Sequence, residues 1–121
     1  METLSNSGIN YVRIPVGYWT WQVEPEEPFP APILDDSDSS GALFYLKRLL
    51  VWLDQLGMKA NIDLHGAPGS QNGFAIRQRQ NFLAGHSRFD NSGRAGEANW
   101  VKEGQVDRTK EVLRMISTTV R

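Results

Sequence analysis

NYVRIPV, residues 10–16, decides how the rest of the chain is read. β-branched and aromatic residues dominate it, the composition of a strand. Val12, Ile14 and Val16 fall on one face, and Tyr11 and Arg13 on the other. Pro15 cannot donate a ladder hydrogen bond, so the strand is expected to end near it. KANIDL, residues 59–64, repeats the pattern. Ala60, Ile62 and Leu64 share one face; Asn61, Asp63 and the following His65 share the other.

Between these strands the clearest helical pattern of the chain spans 42–56. Leu43, Leu46, Leu50 and Leu53 recur at helical spacing, and Leu49 and Leu56 widen the stripe. Lys47, Arg48, Asp54 and Gln55 cluster opposite, where Phe44 and Val51 interrupt them. The Asp and Ser residues of 35–40 are expected to cap this helix, and Gly57 to stop it. A second helix is expected over 105–116, with Val106, Val112, Leu113 and Ile116 on one face. Residues 1–8 read as a frayed end. Two long connections remain, a Trp-, Glu- and Pro-rich one over 17–40 and a glycine-rich one over 65–104; loops of that length tend to be functional or disordered.

Strand, loop, helix, strand, loop, helix is the order of an α/β fold with parallel strands and right-handed crossovers. If the two strands are neighbours, their apolar faces meet the helices. Arg13, Asp63 and His65 then gather on the opposite face, near the carboxyl ends of strands, where α/β folds place their chemistry. A structural Arg–Asp pair beside a solvated histidine explains the same residues equally well.

Composition narrows the classes. The 121 residues carry 13 Lys plus Arg against 14 Asp plus Glu, a net charge of -1. That is one ordinary globular domain with no basic footprint, so nucleic acid is not an expected partner. The longest apolar runs, 42–46 and 49–53, are too short to span a membrane. The first residues show neither the basic head nor the apolar stretch of a signal peptide. With no cysteine and two distant histidines, 65 and 86, neither a disulfide framework nor a zinc site is expected.

Three local motifs have plainer explanations. GAPGSQNG, residues 66–73, follows a strand, but it lacks the Lys-Ser or Lys-Thr of a phosphate loop. DSDSSG, residues 36–41, starts like a calcium loop, yet its twelfth position is Lys47 rather than a bidentate acid. Glu24, Glu26 and Glu27 stand beside Tyr18, Trp19 and Trp21, a mixture that suits sugar binding. For Glu26 and Glu27 a solvated acidic loop is the simpler reading.

Two stretches resemble one family. GINYVRIPVGYW, residues 8–19, looks like the second barrel strand of fungal exo-β-1,3-glucanases of glycoside hydrolase family 5. IDLHGAPGSQNGF, residues 62–74, resembles their third strand and its loop, which in the family runs straight on into the sequence Asp90-Asn91-Ser92-Gly93 supplies here. The resemblance covers roughly residues 4–74 and 89–116. It implies a TIM (β/α)8 barrel, of which this chain would hold about two strand–helix units, the second and third strands with their helices. The whole chain is then a single incomplete glycoside hydrolase domain. It also implies a retaining enzyme that removes terminal glucose from β-1,3-glucan with two carboxylates roughly 5 Å apart. In the family the acid/base glutamate follows an asparagine at the end of the fourth strand, and the nucleophile ends the seventh. No Asn-Glu pair occurs here. Both catalytic glutamates are therefore expected to be absent, no catalytic residue is assigned, and the chain alone is expected to be inactive.

The resemblance leaves a supporting set of substrate-binding residues. Arg13 matches the arginine beside the nucleophile, and His65 a histidine lining the glucose subsite. Asp90 matches an aspartate that hydrogen-bonds terminal glucose, with Asn91 next to it. The phenylalanine stacking at the entrance has two candidates, Phe74 and Phe89. No cofactor or metal is implied, and the partner is β-glucan or a gluco-oligosaccharide. A secreted or cell-wall location follows from the family alone. AIRQRQNFLAGHSRF, residues 75–89, interrupts the pattern and ends by repeating the phenylalanine at which it began. It reads as an unspliced intron, since a GT within the Gly73-Phe74 codons and an AGG codon for Arg88 would restore Gly-Phe-Asp on excision. A genuine loop extension is the rival. Two other functions compete: a non-catalytic carbohydrate-binding remnant acting through Trp19, Phe89 and Asp90, and, much more remotely, a nucleotide-binding α/β domain using the glycine-rich loop.

Overall fold

A computed structural model of the protein describes residues 1–27, 29–35, 37–70 and 99–120, together with the backbone of 89–90 and 93–94. Along the chain run α1 (Glu2–Asn6), β1 (Tyr11–Gly17), a 3-10 turn (Tyr18–Thr20), α2 (Ala42–Gln55), β2 (Lys59–Gly66), β3 (Phe89–Asp90), β4 (Gly93–Arg94) and α3 (Gln105–Thr119). β1 and β2 pair in parallel, Tyr11 opposite Lys59 through Val16 opposite Leu64. β3 and β4 form a separate two-residue antiparallel pair. The α/β order and the parallel pairing are those expected from the sequence. Residues 2–6 form a short helix instead of a frayed end.

The apolar faces of the strands meet the helices as alternation requires. Tyr18, Trp21, Leu43, Leu46, Val112 and Ile116 form the buried cluster, and Ile14, Val16, Ile62 and Leu64 pack against it from the sheet. Two expectations for the helices are corrected. The N-cap of α2 is Gly41, with no side-chain cap. Asp35 and Asp38 instead fold back on Ser37 and Ser40, each aspartate accepting from the backbone N–H and the hydroxyl two residues on. Such turns satisfy the side chain locally, so it never reaches the helix. On α3, Leu113 is 49 % exposed, and Thr109 takes a buried position on the stripe with Val112 and Ile116.

Gly57 does stop α2. Its φ of +65° is a left-handed backbone. The Gly57 N–H reaches the Asp54 carbonyl and the Met58 N–H the Leu53 carbonyl, both at 2.9 Å. This closes the helix with a Schellman motif, and Leu53 and Met58, at the two positions such a motif favours as apolar, are both buried.

Candidate functional site

Three polar side chains project from the sheet face turned away from the helices. Arg13 Nη2 donates to Asp63 Oδ2. His65 Nδ1 stands 3.1 Å from the same carboxylate oxygen and 3.3 Å from Arg13 Nη2. With its proton on Nδ1 the ring donates to Asp63; with the proton on Nε2 it accepts from Arg13. One carboxylate thus gathers a guanidinium and an imidazole into a single patch. Asp63 is one-quarter exposed, whereas Arg13 and His65 are 60 % and 67 % exposed. The face is open to solvent, and surface pairs of this kind add little to stability.

The register shows how His65 is placed. Val16 faces Leu64, but the next residue of β1, Gly17, faces Gly66. His65 is the extra residue on β2. A bulge of this kind bends the strand and re-aims its side chain.

Beyond β2 the chain enters a buried turn. Residues 66–70 are all buried, and Ser70 holds a left-handed φ of +59°. The returning end of the loop clasps it there: the Asn99 N–H donates to the Gly69 carbonyl at 2.7 Å and the Trp100 N–H to the Ser70 carbonyl at 3.2 Å. A Cβ on Gly69 would stand 2.9 Å from the Asn99 carbonyl oxygen, so the clasp needs glycine. Trp100 Nε1 in turn donates to Thr109 Oγ1 on α3.

The connection after β1 is likewise anchored on α3. Arg108 Nη1 and Nη2 donate to the two carboxylate oxygens of Glu27 at 2.9 and 3.3 Å, and Nε stands 3.3 Å from Glu24. The guanidinium lies 5.4 Å from the Tyr18 ring centroid. Burial pushes the Glu27 carboxyl up, but hydrogen bonds from Arg108, the Glu24 N–H and the Tyr18 hydroxyl, with the Arg108 charge, outweigh it and hold the group below its ordinary range. The Glu27 side chain is only 8 % exposed, which corrects its reading as a solvated loop acid. Arg108 had a signal in the sequence: it lies four residues before Val112 and eight before Ile116, a charge on an apolar stripe that requires a partner.

Trp19 is engaged in packing. Its ring stacks on Phe29 at 4.2 Å between centroids, and it lies so close to Gly17 that a Cβ there would stand 2.2 Å from ring atoms.

Of the residues singled out from the sequence, the structure brings Arg13, Asp63 and His65 together. Phe89 and Asp90 are described by their backbone alone, as β3. Phe74, Asn91 and nearly all of the 75–89 insert lie outside the described residues. Among the described residues no group of three or more His, Cys, Asp or Glu could hold a metal ion. No helix among them is long and apolar enough to cross a membrane.

A parallel strand pair backed by helices, with a polar patch on its other face, places the chain in the α/β class. Its relatives are more specific. No family model matches the chain. It is 39 % identical over 116 residues to a glucan 1,3-beta-glucosidase of Pichia angusta, which covers 95 % of this chain and 21 % of that protein. It is 36 % identical to a probable glucan 1,3-beta-glucosidase A of Aspergillus fumigatus, over 96 % of this chain and 22 % of the relative. Glucan 1,3-beta-glucosidase 1 of Schizosaccharomyces pombe matches at 34 % over 95 % and 22 %. The resemblance read from residues 8–19 and 62–74 is therefore shown: nearly all of this chain is similar to one segment of fungal glucan 1,3-beta-glucosidases. The chain spans about a fifth of the length of these relatives.

Proposed function

We propose that this chain is the part of a TIM-barrel glycoside hydrolase of family 5 that carries two strand–helix units, and that it contributes one wall of a pocket for the terminal glucose of β-1,3-glucan. Supporting this reading is the Arg13–Asp63–His65 patch, held by one carboxylate on the polar face of a parallel pair. A guanidinium, an imidazole and a carboxylate offer donors and acceptors to sugar hydroxyls. Arg13 would also hold a neighbouring carboxylate ionised, as a nucleophile requires. Asp90 and Asn91 extend the sugar contacts, with Phe74 or Phe89 stacking at the entrance. The catalytic carboxylate pair belongs to residues outside these 121, and the chain alone is inactive. Its setting is the secreted or cell-wall one in which β-glucan is found.

The test has two arms. Coding sequence beyond Arg121 that contains Asn-Glu-Pro after an apolar strand is the expected result; a downstream sequence with no such strand would contradict the reading. Titration with laminari-oligosaccharide is expected to show binding that Arg13→Ala weakens, while the same change alters stability by less than about 0.5 kcal/mol, as for an exposed pair. Affinity unchanged by that substitution would remove Arg13 from the pocket. Residues 75–89 are proposed to be retained intron sequence, and mature message that keeps them as its main form would refute this.

A further inference from the structure

We propose that Arg108 and Glu27 are positioning residues for His65: through the aromatic stack on the first connection they brace the Gly17–Gly66 step at which β2 bulges. The inference rests on the reading of the Arg13–Asp63–His65 face as the site.

The chain of contacts is continuous. Arg108 holds Glu27 through both carboxylate oxygens and lies against Tyr18, whose ring is fully buried. Glu27 closes its own turn by accepting from the Glu24 N–H at 3.0 Å. A second tie, from Trp21 Nε1 to Thr119 Oγ1 at 3.2 Å, fixes the same connection further along α3. Tyr18 meets Trp19 and Phe29 edge-on, at 5.4 and 5.8 Å between centroids, and Phe29 stacks on Trp19. Trp19 then lies against Gly17, the residue that pairs with Gly66. The extra residue of β2 at this step is His65. A bulge is a local break in the ladder, so its geometry depends on what packs against it. Here that packing is a ring stack pinned from a helix more than eighty residues away in sequence. The two-point contact matters, because a planar guanidinium fixes a carboxylate in orientation as well as distance.

The imidazole resonances of His65 and His86 in the full chain give the test, since these are the only two histidines. Glu27→Gln keeps the side-chain shape and removes its charge; Gly17→Ala places a methyl group on the Trp19 ring. Both are expected to displace or broaden the His65 signals and leave His86 in place. Amide exchange over residues 18–27 is expected to quicken about ten-fold in Glu27→Gln, with residues 11–15 of β1 and 59–63 of β2 unchanged, as for a local opening. Unmoved His65 signals in either folded variant overturn the proposal. Both histidines shifting together with loss of helical circular dichroism also overturn it, because the brace would then act on the whole fold. Should Gly17→Ala fail to fold, Glu27→Gln carries the test. Laminari-oligosaccharide added to the unmodified chain is a separate arm: no response at His65 counts against the sugar reading and leaves the brace result standing.

Discussion

Glu27 shows how a single side chain ties an acidic loop to the core. Its carboxyl is depressed below the ordinary value of 4.5 by Arg108, Glu24 and Tyr18, against the effect of burial. A carboxylate with a depressed folded-state value contributes stability that is complete above its unfolded value and lost as pH falls through the folded one. Thermal midpoints are therefore expected to fall as pH is lowered below about 4.5, and Glu27→Gln to flatten that part of the profile. At neutral pH, Arg108→Gln is expected to cost about 2 kcal/mol, less than orphaning a deeply buried charge, because the half-exposed Glu24 lets water reach the pair. Denaturant titration of the two variants at pH 7 and pH 4 checks both statements. At this scale the polar patch was readable: strict alternation puts Arg13, Asp63 and His65 on one face. The bulge at His65 was not readable, because the extra residue is defined only by its partner strand. Glu27 was misread because a run of acids among prolines looks solvated until its cation, 81 positions away, is known.

Elements followed their patterns where one face is buried and departed where local hydrogen bonds compete. The leucine stripe of α2 and the stop at Gly57 are as read from spacing, since 3.6-residue periodicity and a left-handed glycine each have one structural outcome. Its start is different. Asp35 and Asp38 had suitable chemistry for caps, but turns two residues long captured them first. Leu53 is the most buried side chain of α2, at 1 % exposure. Leu53→Ala is expected to destabilise by about 3 kcal/mol, through lost transfer energy and the cavity left behind; equilibrium unfolding measures it. The clasp between residues 69–70 and 99–100 makes a second prediction. It fixes the ends of the intervening segment, so removing residues 75–89 leaves both ends where they are. Shortening the connection to roughly half eases its closure by about 0.6 kcal/mol. Deletion is expected to leave the midpoint unchanged or slightly raised, and a fall as large as that of Leu53→Ala would show that the insert packs on the core.

For the molecule as a whole, the described residues cover the two-stranded sheet on one face. Parallel sheets normally bury both. Among the described residues neither outer edge of β1 or β2 has a partner strand, a condition that closed barrels avoid. The relatives are about five times longer than this chain. Each fact fits the proposal that Arg13, Asp63 and His65 form one wall of a pocket whose other walls come from further strands. Periodicity gave the α/β class, because alternation and helical spacing are local. A barrel is a closure condition over eight units, and two units cannot express it; only the long, unusual strings at 8–19 and 62–74 carried that expectation.

Glucose release from laminari-oligosaccharide by the purified 121-residue polypeptide tests the central proposal most directly. None above the uncatalysed background is expected if, as proposed, the acid/base and nucleophile are supplied from outside the chain. Sustained release, abolished by substituting one of its own glutamates, would contradict it and place the catalytic pair within this chain.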